Sequence, residues 1–396
     1  MRLKTVSLQR NADTVRLVGE VDSERGSFEL YFAYPAEYES YVSVAADPFA
    51  VAMLVPAMLW GEPLDITPGI SSRLHFHLPR IRDIFHTWFP ALTRSQIRAT
   101  AASTRTSEPP CRAATCFSGG TDSFYTLLRY RGRDALPSPL THVVFMRGLE
   151  KPLDFLRDVE SAQHVVERIA ARAGVRCIFG ESNLRSHFEA DWVDLYSGSA
   201  LAATGLSLAN GFSHFCIPSP YSYRTMVPTS TTPLVDERYS TERVAVLHDG
   251  AELTRAQKIA RIIEWDEALV LEHLRVCVMN RGGAYNCCEC RKCVRTMIAL
   301  RALGVLERAE TFPDKSMRHW GDVARLDSLI FLEDNLELAR THNDPELTAW
   351  LEKLVLRRKR RDAVREFLSN SPLHGVVPVI QAVRRRLWGS DPNKTR

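Results

Sequence analysis

The six residues Ser118-Gly119-Gly120-Thr121-Asp122-Ser123 put two glycines, three hydroxyls and a carboxylate between a short apolar stretch, Ala113–Phe117, and a helix-like one, Phe124–Arg131. A strand-to-helix junction of this kind suits an anion. The first turn of a helix offers unpaired N–H groups and the positive end of the helix dipole. Gly119 and Gly120 let the main chain approach an oxygen-rich ligand without a Cβ in the way. Ser118, Thr121 and Ser123 add hydroxyl donors. Asp122 is expected to cap the helix or to hold magnesium through water. The loop lacks the Gly-Lys-Ser/Thr of a Walker A motif and the Gly-x-Gly-x-x-Gly of a dinucleotide fingerprint.

The second constellation is Cys277-x9-Cys287-Cys288-Glu289-Cys290-Arg291-Lys292-Cys293, in which residues 287, 290 and 293 give Cys-x2-Cys-x2-Cys. With Cys277 as the fourth thiolate, the set suits a closed tetrahedral structural zinc. Gly282-Gly283 lets the intervening loop turn back. Cys288 is the spare, at a position where glycine would ease a tight turn, and it is the alternative ligand should one of the four be displaced. An iron–sulfur cluster is a second use of four such thiolates.

The elements that must position these groups read as alternating strands and helices from Cys111 onward. Strand-like stretches are Ala113–Phe117, His142–Met146, Val175–Phe179 and His214–Pro218. Helical stretches are Phe124–Arg131, Phe155–Ala173, Ser199–Asn210, Leu253–Ile263, Trp265–Leu274 and Val294–Leu303. Repeated β-α units imply a parallel sheet with helices on both faces. Upstream, Val15–Val21 and Ser27–Ala33 read as a hairpin, Tyr41–Ala45 and Leu74–Leu78 as strands, and Pro48–Leu59 and Ile81–Trp88 as helices. A polar linker, Ser103–Pro110, follows. The expected division is a β-containing N-terminal domain over residues 1–108, a catalytic domain over 109–310, and a helical, basic C-terminal region over 311–396.

The chain of 396 residues is 45% hydrophobic and 25% charged, a globular composition. No apolar run is long enough to span a bilayer, and the N-terminal residues are not followed by a signal-like apolar core, so a cytoplasmic location is expected. Net charge is +4, yet from Lys353 onward twelve Lys/Arg face only Asp362, Glu366 and Asp391, a local +9. Arg357–Arg361 and Arg384–Arg386 concentrate that charge, and Val376–Trp388 is apolar on one side and basic on the other. These features suggest a nucleic acid, protein or anionic surface partner for the tail, or simply a solvated helical face.

The loop resembles, residue for residue, the Ser-Gly-Gly-x-Asp-Ser loop of the PP-loop ATP pyrophosphatases, which cleave ATP between its α- and β-phosphates and activate a substrate oxygen as an adenylate. Loop and cysteines together resemble the 7-cyano-7-deazaguanine synthase family over about Cys111–Gly304. That family carries Cys-x(8–9)-Cys-x2-Cys-x2-Cys, commonly followed by an Arg, here Arg295. The resemblance implies an α/β, adenine nucleotide alpha hydrolase-like (Rossmann-like) core with structural zinc. It also implies a ligase that uses ATP and Mg2+ to adenylate a small carboxylate, a deazapurine in the family, for attack by ammonia or an amine. Ser118, Asp122 and Lys258 would be catalytic, and residues 118–123 would hold ATP. Phe145 and Met146 would lie at the adenine, and Zn2+ would sit on Cys277, Cys287, Cys290 and Cys293. The chain departs from the family where Gly-Arg-Asn and Tyr-Pro-Asp-Cys-Arg are expected; it has Tyr196-Ser197-Gly198-Ser199 and Pro218–Thr225 in those regions. The departures fall on the substrate pocket and leave room for a base-modifying enzyme of a bacterial defence system.

Adenylation needs charge neutralisation, for which Arg224, Arg255 and Lys258 are candidates. Asp236, Glu237, His248 and Asp249 fall in expected loops as candidates for substrate or magnesium. A zinc-containing nucleic-acid-binding or RNA-modifying PP-loop protein is the alternative function.

Overall fold

The computed structural model describes residues 1–102, 110–132, 136–153, 159–316, 318, 320–325 and 327–369. Most of the linker and residues 376–388 of the tail lie outside them, as does the start of the helix expected from Phe155. In chain order the principal elements are β1 (Arg2–Arg10), β2 (Thr14–Ser23), β3 (Gly26–Pro35), α1 (Asp47–Trp60), β4 (Leu64–Ser71), α2 (Ser72–Trp88), β5 (Ile97–Ala102) and β6 (Ala113–Cys116). There follow α3 (Thr121–Tyr130), β7 (Leu140–Arg147), α4 (Val159–Ala173), β8 (Arg176–Ser182), α5 (Leu184–His187), α6 (Ser197–Ser207), β9 (His214–Pro218), α7 (Pro233–Asp236), β10 (Ala245–Asp249) and α8 (Arg255–His273). The last four are α9 (Arg291–Ala302), α10 (Trp320–Ala324), α11 (Leu329–Thr341) and α12 (Pro345–Ser369).

The strands form one sheet in the order β10-β9-β6-β7-β8-β3-β2-β1-β4-β5. From β10 to β8 every pair is parallel. Counted from β6, these five strands run 3-2-1-4-5, the order that creates a topological switch point beside the first strand. The N-terminal strands continue the same sheet through an antiparallel pair, Phe32↔Ser182 and Ala33↔Glu181. Residues 1–287 with 308–313 make one compact unit, and 288–307 with 314–396 a second, whose described part is helical.

In the first unit α1 is buried nearly all round and packs on α6, so Phe49, Met53 and Leu54 share a core with Phe215 and Ile217 of β9. The opposite face of β6 and β9 carries α3, which packs on α8.

Three local outcomes differ from the sequence reading and one, the break in α8, agrees with it. Tyr41–Ala45 is not a strand: a 3-10 turn, Ala36–Tyr41, leads into irregular chain. Its backbone is satisfied across space, because Ser43 N–H donates to the Ser207 carbonyl at 2.9 Å and the Asn210 side chain donates to Val42 O at 2.7 Å. Leu74–Leu78 is helical, the first half of α2. Leu74, Leu78, Ile81 and Phe85 are buried at helical spacing, whereas Phe76, which made the stretch look alternating, is 55% exposed. α8 is one element broken at Asp266 (φ −159°, ψ 77°), so the two expected helical segments do turn apart there. The Asp266 carboxylate accepts from Leu269 N–H at 3.1 Å and restarts the helix. Finally, Ala245–Asp249 is a strand, which takes His248 and Asp249 out of loops.

Candidate functional site

All four residues of β6 are buried, and the chain leaves the strand through Phe117 and Ser118 into Gly119, whose φ of +75° is left-handed. Gly120 is the N-cap of α3, which takes that position from Asp122, and it makes no side-chain capping bond. Inside the loop Ser123 Oγ donates to Gly120 O at 2.9 Å, and Ser118 N–H donates to Ser123 Oγ at 3.4 Å. Ser118 is exposed, while Thr121 is fully buried with an Oγ1 that has no hydrogen-bond partner among the described residues. The loop follows β6, the first strand of the parallel array, with β7 and β9 on either side; it therefore opens at the switch point.

Asp122 faces two cations from α8. Arg255 Nη1 is 3.0 Å from Oδ2, and Lys258 Nζ is 3.5 Å from Oδ1 and also donates to Ser219 O, just past β9, at 2.6 Å. The start of α8 is fixed by a capping box: Thr254 Oγ1 accepts from Gln257 N–H at 3.4 Å, and Thr254 N–H donates to Gln257 Oε1 at 2.9 Å. The Lys258 side chain is 1% exposed. Burial lowers its pKa, and the Asp122 charge opposes that shift. Gly250 (φ +89°) makes room for it: a Cβ there would stand 3.3 Å from Lys258 Nζ and 3.0 Å from the Tyr125 ring.

The other sequence candidates divide. Phe145 and Met146 are partly buried on β7, just past Val144, which pairs with Cys116 at the end of β6. Arg224 is exposed in a short 3-10 turn. Asp249 is occupied: Oδ1 accepts from Tyr130 at 2.7 Å and Arg129 at 2.9 Å, and Oδ2 from Thr126 at 2.6 Å, fastening β10 to α3. Glu237 lies in a 3-10 turn after α7. Asp236 closes α7 and hydrogen-bonds to His248.

Cys277, Cys287, Cys290 and Cys293 bring their sulfur atoms within 4.8 Å of one another, a group that could hold a zinc ion. Four thiolates at ~2.3 Å from a tetrahedral ion stand about 3.8 Å apart. The separations thus fit a single ion, whereas a cube of iron and sulfide would hold its ligands farther apart. Asn280 N–H donates to Cys277 Sγ at 3.2 Å and Cys293 N–H to Cys290 Sγ at 3.5 Å, bonds that favour thiolate. Cys288 stays outside the group and is left-handed (φ +59°), the glycine-like turn position its place in the spacing suggests.

Asn286 carried no signal in the sequence. It is fully buried, accepts from Val276 N–H at 2.9 Å and Cys277 N–H at 3.1 Å, and donates to Leu274 O at 2.9 Å and Thr311 O at 3.1 Å. Its amide thus uses its donors and acceptor to fix the approach to the first cysteine. Arg295, next to the last cysteine, is committed to a structural role: Nε donates to Asp327 at 2.8 Å and the guanidinium lies 3.4 Å over Phe331.

Comparison with protein-family models, with curated proteins and with solved structures returned no match. Among the described residues no helix is long and apolar enough to cross a membrane.

Proposed function

We propose that this chain is an ATP-dependent ligase that activates a carboxylate as its adenylate and passes the acyl group to ammonia or an amine, releasing AMP and pyrophosphate. The reading rests on one observation: Ser118–Ser123 joins the first strand of a 3-2-1-4-5 parallel array to the helix that follows, with Lys258 and Arg255 drawn up to it. Its resemblance to the PP-loop ATP pyrophosphatases supplies the reaction class.

In this reading the N–H groups of the Gly119–Thr121 turn and the hydroxyls of Ser118, Thr121 and Ser123 hold the phosphates. Arg255 and Lys258 neutralise charge as pyrophosphate departs. Preorganised cations in a nearly dry position act more strongly than they would in water. Asp122 orients both cations and is the residue that would hold Mg2+, which supplies further neutralisation of phosphate charge when bound. Adenine takes the end of β7 beside Phe145 and Met146. The cysteine site is structural, since all four protein ligands leave no open position.

The test is pyrophosphate release from ATP across a panel of carboxylated deazapurines, bases, peptides and RNAs. Release dependent on one acid class, and lost in Asp122→Ala, supports the reading. Release indifferent to Asp122→Ala and Ser118→Ala refutes it.

Arg357, Lys359, Arg360 and Arg361 are exposed on α12 and support a nucleic acid partner as a second role. Filter binding over a salt series tests that role, with steep weakening as salt rises as the expected outcome.

A further inference from the structure

His248 and Asp236 form a buried pair that the phosphate chemistry leaves unused. Nδ1 lies 2.7 Å from Asp236 Oδ2, and the two side chains are 1% and 0% exposed. Four polar atoms in this corner have no hydrogen-bond partner among the described residues: His248 Nε2, Asp236 Oδ1, Thr232 Oγ1 and Tyr239 OH. Buried polar atoms are nearly always bonded, so a cluster of unpartnered ones marks a place for a polar ligand or water. The corner is built tightly. The first turn of α6 passes so close that a Cβ on Gly198 would run into the Ser230 carbonyl and stand 2.9 Å from Asp236 Oδ1. Ser197 Oγ meets Ser230 Oγ at 2.7 Å and Thr231 Oγ1 at 3.1 Å beside it.

Its position relates it to the loop. His248 pairs with Ile217 on β9, and Thr115 of β6 pairs with Cys216, so Cys116, Ile217 and His248 make one row across three strands. At ~4.8 Å per strand the row carries His248 about 10 Å from Cys116, the residue from which the loop departs. Asp249 points to α3, so His248 points to the other face. The two sides of the switch point thus differ in charge. The loop side holds Lys258 and Arg255 and suits phosphate; the His248 side holds a carboxylate and suits a proton donor without negative charge.

We propose that His248, oriented by Asp236, takes the proton from the amine that attacks the adenylate. This rests on the adenylation reading above. Nδ1–H donated to Asp236 leaves the lone pair on Nε2, the arrangement a base requires. In the step, the amine nitrogen forms a bond to the acyl carbon and the bond from that carbon to the AMP oxygen breaks. AMP leaves with the electron pair, and the amine proton passes to Nε2. The imidazolium is held beside Asp236 and then gives the proton to solvent. Burial pushes the Asp236 carboxyl up to about 6, against the hydrogen bond from His248. The other titratable groups facing the pair are Glu237, Tyr239 and Cys116, with Tyr196 behind Tyr239.

The test separates the two half-reactions. With a carboxylated deazapurine and ammonium, His248→Gln is expected to keep pyrophosphate–ATP exchange within about twofold and to lower amide formation about 100-fold or more. Hydroxylamine, unprotonated and strongly nucleophilic at neutral pH, should restore AMP release. Equal losses in both half-reactions, or none in the second, overturn the proposal. Absence of exchange with every acid in the native enzyme would instead refute the adenylation reading. A measurement without substrate decides the pair by itself. In 15N-histidine spectra, assigned by difference with His248→Gln, native His248 must be the Nδ1–H tautomer at pH 8, and in Asp236→Asn it must change tautomer. An Nε2–H tautomer in the native protein overturns the proposal.

Discussion

The backbone N–H of Arg275 donates to the carbonyl of Gly119 at 2.8 Å. Arg275 stands two residues before Cys277, and its Cβ would lie 3.6 Å from a Cβ on Gly119. The Ser118–Ser123 turn is therefore tied, through one main-chain bond, to the segment that Asn286 and the cysteine site hold in place. Removing the metal should loosen the loop as well as the cysteines. Hydrogen exchange is expected to speed up at residues 118–121 when a chelator takes out one equivalent of zinc. Faster exchange at 277–293 alone would show that the tie does not transmit.

Cys288 and Cys290 stand two positions apart in sequence with opposite expected behaviour. Cys290→Ser removes a thiolate and should abolish stable zinc binding. Cys288→Gly relieves a left-handed residue, a strain of roughly 1–2 kcal/mol, at the cost of a small buried side chain. It should keep one zinc per chain and melt at or slightly above the native temperature. Elemental analysis with a melting curve checks both; loss of zinc from Cys288→Gly would place Cys288 among the ligands.

Lys258→Met preserves the bulk of a buried side chain and deletes its charge. Pyrophosphate release is expected to fall about 100-fold or more, as when a preorganised donor to a transition state is lost. Gly250→Ala should weaken the same function indirectly. Its backbone is left-handed and its new Cβ presses on Tyr125 and Lys258, for a destabilisation of about 1–3 kcal/mol. Steady-state kinetics and denaturant titration of both variants separate the two effects.

Asp236 gives stability a pH dependence of known sign. Its carboxyl sits at about 6 in the fold against 3.8 ordinarily, because burial disfavours the charge. Between those values the folded protein holds a proton that the unfolded chain has lost. The group therefore favours folding at low pH, and that contribution disappears as pH rises through about 6. Asp236→Asn carries no such proton. Relative to native protein it should look least stable near pH 4 and gain ground toward pH 7. A constant difference in unfolding free energy across that range would contradict the shift.

The turn from β6 into α3 and the cysteine group were legible because each is compact in sequence: six contiguous residues, and three cysteines at intervals of three. The strands β6, β7 and β9 were legible as apolar runs. What stayed hidden depends on distant partners. Leu74–Leu78 fits alternation as well as it fits a helical stripe, and only the continuation to Ile81 and Phe85 decides. The pair of Asp236 and His248 needs β10 beside β9 and α7 folded back over it, and neither residue's neighbours foretell that. Asn286 bonds to residues 10 to 25 positions away, so no local pattern could mark it.

The pairing of β3 with β8 has a consequence for how the chain is made. Some 150 residues separate the partners, as the hydrogen bond from Tyr31 to Glu181 measures. β3 leaves the ribosome with one flank already paired to β2 and the other bare until β8 arrives. During that interval the nascent N-terminal sheet offers an open edge to any other extended chain nearby. The later, parallel part of the sheet faces the same exposure in reverse: cut free at residue 110, it would end on a naked β8. Synthesis order thus makes the first hundred residues a waiting template and the later core its obligate cover.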